Sequence, residues 1–390
     1  AKEFVSSLEG QEAVIDSKST SKEKKKPPLL FNLAELQSEC SKRFKISPDE
    51  TLKVAQELYE KKLTTYPRTD ARVLSSAVTK VISGNLKGLK AYAPLSDKVG
   101  HILDNELFKG LEKTQYTNDK KVTDHYAIIP TGNLSELAKL SELSQKVYDL
   151  IVRRFLSIFY PPAEYTKLTI ITAVGCELFH TTAKLLVSPG YLVIAGIPEK
   201  KKKKKADGEE DEEELSNDPK ELMALSDKLK KGTAVNVAGF ELKTGKTSPP
   251  KRYTSGSMIL AMENAGNLIE DEELRAQITG SGIGTSATRA GIIEKLVRIG
   301  YLALNKKTQV LTPRSFGEMV YEVVYLTLPS MLNPEMTASW EKGLTGVEEG
   351  RIAPKEYKDT LERYVRKYVE NIRSKDLKDQ IRKNISKITN

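Results

Sequence analysis

Cysteine is almost missing from this chain of 390 residues: Cys40 and Cys176 stand far apart, with no Cys-x-x-Cys or Cys/His spacing around either. That argues against a disulfide framework and a structural zinc site, and it fits a reducing cytoplasm. Histidine is confined to His101, His125 and His180, too dispersed for a His-x-His metal pair. No apolar run approaches the ~18 residues of a membrane span, and the opening AKEFVSSLEGQEAVIDSK lacks the apolar centre of a signal peptide. The glycine-rich loop at 280–284 has no Gly-Lys-Ser/Thr ending, so nucleotide hydrolysis is unsupported. An initiating methionine is also missing, and the first residues read as the end of a strand-rich region, as expected of a fragment.

What is present suits a folded chain of two or three domains: 39% apolar residues supply cores, and 62 Lys+Arg against 53 Asp+Glu give a net charge of +9. A basic balance of this kind favours a polyanionic partner. Residues 4–17 suggest short strands, and SKSTSKEKKKPP (17–28) reads as a polar connector closing a first segment, 1–27. Helical periodicity then governs 28–155. Ser47, Pro48 and Glu50 carry the signals of a helix start, and Leu52, Ala55, Leu58 and Tyr59 form its inward stripe. Thr and β-branched residues dominate from about 156 to 252, predicting antiparallel strands over 165–197 and a return to strand in 232–254. Lys200–Lys205 and the acidic run at 209–214 interrupt this part. Such charge blocks predict a solvated, disordered loop over 200–218. Residues 253–390 are helical again.

Three stretches carry chemistry. In LTTYPRTDAR, Pro67 pushes Tyr66 towards an extended backbone, and an extended segment puts Tyr66, Arg68 and Asp70 on one face. A phenol is a poor nucleophile unless positioned and deprotonated, and an arginine beside it is able to grip the phosphate under attack. Taken alone, Tyr-Pro-x-x-Asp is more often a turn composition than an active site. In VTDHYAIIPTGN, His125 beside Asp124 is a donor for a phosphate oxygen, though a lone histidine is more often structural. In TGSGIGTSATRAGIIEKLVRIGYL, Gly280, Gly282 and Gly284 form a loop, Thr285 or Ser286 is placed to cap the next helix, and Arg289 falls in its first turn. A helix N-terminus fed by such a loop suits a phosphate, and an ordinary capped helix has the same pattern. YLALNKKTQVLT then reads as two short strands about a turn, giving helix plus hairpin as in a winged helix.

Together these stretches, with PPLLFNLAELQ, PPKRYTSGSMILAMENAG and LTGVEEGRI in the same order, resemble the type IA DNA topoisomerases, most closely the bacterial topoisomerase III branch. The resemblance implies a multidomain α+β fold: an antiparallel β-rich gate arch (1–27 and 156–252), an inserted helical domain with the active-site tyrosine (28–155), and a C-terminal helical, winged-helix-like strand-binding domain (253–390). It implies that Tyr66 forms a 5′-phosphotyrosyl link, that Arg68 positions the scissile phosphate and that His125 contacts DNA beside it. Asp70, Gly284, Thr285, Ser286, Thr288 and Arg289 fall in its DNA-binding stretches. Ala71 stands where serine is usual, Tyr126 where a second histidine is common and Ser286 where proline is common.

The family's N-terminal Toprim domain, whose Lys-Glu pair and Asp-x-Asp-x-Glu cluster together bind Mg2+ and assist proton transfer, is not found here, so Mg2+ is expected on that missing domain and no metal site in this chain. The reading is a monomeric, cytoplasmic, nucleoid-associated, ATP-independent enzyme portion that binds single-stranded DNA, touches no membrane and does not relax supercoils by itself. The rival is a winged-helix regulator of duplex DNA built on 286–312. A relaxase lacks its histidine pair here, and a tyrosine recombinase places its nucleophile late.

Overall fold

The computed structural model describes residues 2–122, 124–197, 219–226, 228–247, 249–270, 272, 275, 282–374 and 376–389. It combines helices with antiparallel sheet in two compact units. The first comprises Ala1–Leu29, Tyr92–Leu111 and Arg153–Pro249; the second comprises Leu30–Ala91, Glu112–Val152 and Pro250–Asn390.

The first unit is organised by an antiparallel sheet of four strands, β1 (Ala13–Lys25), β2 (Ala163–Val174), β3 (Glu177–Ser188) and β4 (Ala234–Val235), in the order β3-β2-β1-β4. Two expectations are corrected here. Residues Lys2–Leu8 are helical, and the supposed connector at 17–28 is mostly strand, since β1 pairs with β2 from Ala13↔Val174 to Lys25↔Ala163. A ladder uses backbone groups only, so a solvated strand tolerates a Ser, Thr, Lys and Glu sequence that looks like linker. Charge pairs across the strands add to it: Lys24 meets Glu164 and Lys184 meets Glu23, both at 2.7 Å. Apolar burial is confined to patches such as Ile15, Leu168 and Ile170 under Leu222, Met223 and Val235, and Ala163 with Tyr191 and Leu192.

The helix Glu142–Ser157 carries helical structure past the expected start of the β region near 156, and strand begins at Ala163. Of the strand expected over 232–254, only β4 forms among the described residues. Gly239, Gly245 and the Pro249-Pro250 pair punctuate the residues beyond β4, and β1 pairs with β4 only at Ala13 and Val14. The Lys200–Lys205 run, the acidic 209–214 run, the rest of the 200–218 loop, and Gly280 lie outside the described residues.

The second unit brings together helical pieces from 28–155 and from 253–390. Helix Leu33–Phe44 packs on helix Ser255–Glu263 so closely that a Cβ on Gly256 would sit 2.8 Å from the Ser38 Cα. Ala34, Ile259, Ile293 and Leu311 form a shared core, at about 1.5–3 kcal/mol for each fully buried large apolar side chain. Helix ends follow local chemistry. Ser47 caps Pro48–Glu60 by accepting from Glu50 N–H at 3.2 Å, and Thr254 and Ser257 form a reciprocal capping box. Helix Arg289–Arg298 leads into β5 (Leu302–Leu304) and β6 (Leu311–Pro313), the expected hairpin. Cys40 is buried, its thiol pushed up to about 12 by desolvation, and Cys176 is exposed.

One close backbone contact locks the extended segment around Pro130. In helix Ser76–Leu89, a Cβ on Gly88 would fall 2.4 Å from the Gly132 carbonyl oxygen, and Gly132 itself has φ +92°. Asn85 Nδ2 donates to the Pro130 carbonyl at 2.9 Å alongside. Gly88→Ala is therefore expected to destabilise the chain by about 1–3 kcal/mol. Gly84→Ala in the same helix, where an added Cβ meets nothing within 4 Å, is expected to stabilise by up to about 1 kcal/mol. Thermal melts of the two variants check this, and equal shifts would contradict the packing account.

Candidate active site

The helix Pro48–Glu60 ends at Lys61, and Lys62 turns the chain with φ +59°. The next residues run antiparallel to the 127–131 segment through a Thr64↔Pro130 bridge. Thr65 binds that segment three times: its N–H donates to Ile129 O at 3.0 Å, its hydroxyl donates to Ala127 O at 3.1 Å, and the hydroxyl accepts from Ile129 N–H at 3.0 Å. Thr131 answers from the other side, its hydroxyl donating to Lys62 O at 2.6 Å and its N–H to Leu63 O at 3.0 Å. Beyond Tyr66, Thr69 N–H donates to Pro67 O at 3.0 Å, a three-residue turn. The Thr69 hydroxyl donates to His125 O at 2.7 Å and accepts from Ala71 N–H at 3.1 Å. Tyr66 is thus bracketed by two threonines, each bound to the segment that carries His125.

Through this turn Tyr66, Arg68 and Asp70 alternate with buried Pro67, Thr69 and Ala71, so the three share the more exposed side. The Tyr66 ring lies 4.4 Å from that of His125, tilted by 40°, and 5.3 Å from that of Tyr59, edge on. Tyr59, Lys62, Thr64, Thr65, Tyr66, His125, Tyr126 and Thr131 line a cavity of about 360 Å³. Burial pushes the Tyr126 phenol above its ordinary pKa. Arg68 is exposed and makes no hydrogen bond or ion pair among the described residues; the same holds for the Tyr66 hydroxyl, the His125 ring nitrogens and the neighbouring Asp124 carboxylate.

The third stretch lies in the same unit but is arranged differently from its sequence pattern. Gly282 (φ +63°) folds the loop onto the end of helix Ser255–Glu263, with Ile283 N–H donating to Met262 O at 2.8 Å. The cap is neither Thr285 nor Ser286: the turn closes when the Thr288 hydroxyl accepts from Thr285 N–H at 2.9 Å, and helix starts at Arg289. Gly284, Thr285, Ser286 and Thr288 lie on this loop with part or all of their surface open. Arg289 does not. At 1% exposure, its Nη1 donates to Asp70 Oδ1 at 3.1 Å and approaches Glu263 Oε1 at 4.0 Å, while Nε donates to Ile283 O at 3.2 Å. Asn32 Nδ2 donates to Glu263 Oε1 at 2.6 Å and to Asp70 O at 3.2 Å, closing the network.

Arg289 therefore ties the glycine loop to the turn of Tyr66 and presents no free guanidinium. Thr65, Thr69, Asn32 and Glu263 were not singled out by the sequence, because nothing local distinguishes a bracketing threonine or a buried glutamate from its neighbours. Among the described residues, no group of three or more His, Cys, Asp or Glu side chains is arranged to hold a metal ion.

Residues 1–359 match the sequence pattern of a family described as DNA topoisomerase. The chain is 35% identical over 382 residues to DNA topoisomerase 3 of Bacillus licheniformis and 34% identical over 376 residues to that of Bacillus subtilis. These alignments cover 96% and 95% of this chain but 49% and 48% of those proteins, so the chain spans about half the length of the curated relatives it matches. Among solved structures, full-length topoisomerase I from Thermotoga maritima has the same fold over 96% of this chain and 54% of its own, with a TM-score of 0.62 at 22% identity.

Burial of Glu263 pushes its carboxyl above the ordinary 4.5, opposed by Arg289 and the Asn32 hydrogen bond and reinforced by Asp70 and Glu35. The folded chain holds this proton to higher pH than the unfolded chain does. Its stabilising contribution is therefore present at acid pH and is lost as pH rises from 4.5 through the raised folded value. Glu263→Gln keeps an acceptor for Asn32 and removes the titration. The melting midpoint of Glu263→Gln relative to the parent is expected to climb as pH rises through that window, and a pH-independent difference would refute the linkage.

Proposed function

The chain belongs to the type IA DNA topoisomerase family, and from that premise we propose that it is the gate and strand-binding part of such an enzyme, with Tyr66 as its nucleophile. The observation that carries the reading is the bracketed turn: Tyr66 is held by Thr65 and Thr69 against the His125 segment, and its hydroxyl is left without a partner among the described residues. The phenolic oxygen attacks the phosphorus of a single-stranded DNA phosphodiester. One P–O bond forms as the bond to the 3′-oxygen breaks, leaving a 5′-phosphotyrosyl link and a free 3′-hydroxyl. A second strand passes through the gap, and the 3′-hydroxyl attacks in reverse. The ester energy is kept in the link, so ATP is not required.

Arg68, exposed and without a partner among the described residues, supplies the guanidinium that grips the scissile phosphate, and His125 contacts the strand beside it. The loop of Gly284, Thr285, Ser286 and Thr288 receives the upstream backbone at a helix start. Asp70 and Arg289 set the spacing between that loop and the nucleophile. A proton leaves Tyr66 on attack, and no described group is bonded to its hydroxyl to take it; the base and the acid for the 3′-oxygen are proposed to lie on a Toprim domain outside these residues. Magnesium is assigned there as well, because Asp70 and Glu263, the carboxylates of this network, are already engaged by Arg289 and Asn32 and do not fit a free magnesium ligand set.

The domain scheme of a β-rich gate arch, a helical tyrosine domain and a winged-helix-like strand-binding domain belongs to the same proposal, as does a monomer acting in the cytoplasm on nucleoid DNA. Among the described residues no helix is long and apolar enough to cross a membrane. Duplex reading by the helix Arg289–Arg298 and its hairpin is the weaker alternative, since the first side chain of that helix is buried against Asp70.

With a Toprim-bearing partner domain, Mg2+ and an end-labelled oligonucleotide, the parent is expected to give a covalent adduct that Tyr66→Phe abolishes, while non-covalent binding of single-stranded DNA changes by less than about twofold. Adduct formation by Tyr66→Phe would overturn the assignment. The chain by itself is expected to bind single strands with strong salt dependence and to leave supercoiled DNA unrelaxed; relaxation by the chain alone would refute the division of labour.

A further inference from the structure

One wall of the Tyr66 cavity has no task in the cleavage chemistry. Lys62 lines it and adopts φ +59°, the left-handed backbone that usually falls to glycine just after a helix. A Cβ in that conformation crowds its own carbonyl, at a cost on the order of 1 kcal/mol. The backbone is fixed from both sides: Lys62 N–H donates to Tyr59 O at 2.8 Å, and its carbonyl accepts from the Thr131 hydroxyl at 2.6 Å. The side chain, in contrast, is exposed and makes no hydrogen bond or ion pair among the described residues. A lysine thus belongs to the lining of a cavity that also takes in Tyr59, Tyr66, His125 and Tyr126, and among the described residues its ammonium has no ion-pair partner. Arg68 does not line this cavity.

We propose that the Lys62 ammonium binds a backbone phosphate of the single strand seated in the Tyr66–His125 cavity, a second phosphate contact beside the one assigned to Arg68. This rests on the reading that a single strand passes Tyr66. Rings and a point charge together suit a nucleotide: stacking tolerates any base, and a lysine recognises phosphate without regard to sequence. The contact therefore contributes grip and register and leaves sequence preference to other groups.

Backbone chemistry makes the test sharp, because glycine is the residue best suited to φ +59°. Lys45 supplies an internal control: it has the same φ of 59° after helix Leu33–Phe44, is exposed, and does not line the cavity. Anisotropy of a labelled single-stranded oligonucleotide over a salt series, with melts on the same samples, compares the parent with K62G, K62R and K45G. For K62G the expected result is binding weaker by about threefold to fivefold, a slope of log affinity against log salt reduced by about 0.7, and a melting midpoint equal to or above the parent's. K62R is expected to keep affinity and slope, and K45G to match the parent in both. Parental affinity and slope in K62G would overturn the inference while leaving the strand-binding reading intact. An equal loss in K45G would also overturn it, by reducing the effect to net charge. A parent that does not bind the oligonucleotide overturns the strand-binding reading and this inference with it.

Discussion

A guanidinium removed from water has to be met by acceptors on every side, and the arrangement around Arg289 follows from that demand. Its partners come from near and far in the sequence: the Ile283 carbonyl in the adjoining glycine loop, Glu263 at the end of a helix, and Asp70 on the tyrosine turn. Asn32 donates in turn to the Glu263 carboxylate and to the Asp70 carbonyl. Removing an acceptor strands the buried guanidinium, although Asp70 itself stays exposed, which is why such networks fix one arrangement even where their net contribution to stability is small. The loop and the nucleophile's turn are consequently placed with respect to each other by charge, while the bracketing threonines place the turn against His125 by neutral hydrogen bonds. Two different kinds of interaction converge on one tyrosine.

Much of the local structure was legible. Ser47 and Pro48 opened the expected helix, the 301–312 stretch formed its hairpin, and the three chemical stretches fell in one compact unit. The failures share a cause: they concern positions whose state is set by partners far away in sequence. The lysine-rich stretch before Pro27 reads as linker because its side chains are solvated, yet β2 satisfies its backbone from more than a hundred residues away. Arg289 sits where a helix start ordinarily offers charge to solvent, yet it is buried and paired with Asp70, 219 residues away in the chain. Glu263 belongs to a mostly apolar helix and gains meaning from Asn32 and Arg289, neither of them near it in the chain. Lys62 was overlooked for a simpler reason. Residue type does not report φ, and a lysine in the left-handed region looks like any other lysine.

The two units obey different economies of burial. In the sheet unit, apolar contact is distributed in small patches, and long stretches of ladder stand in water supported by backbone pairing and ion pairs. The helical unit has close backbone approaches at Gly88 against Gly132 and Gly256 against Ser38, and the sheet unit has one at Gly190 against Pro161 and Pro162. Such contacts tolerate very little change in distance, and the Gly132 contact lies next to the residues that hold the tyrosine turn.

The two threonines have a mechanical side as well. In the proposed covalent state, any tension in the DNA enters the protein at the Tyr66 oxygen and passes into its backbone. That backbone is tied down before the tyrosine by Thr65 and after it by Thr69, four hydrogen bonds in all to residues 125–129. A pull is therefore shared across both anchors at once, and the bonds are loaded together instead of peeling open one after another. The turn behaves as a clamp with two jaws, and a strand attached to it is tethered to a point that yields little under load.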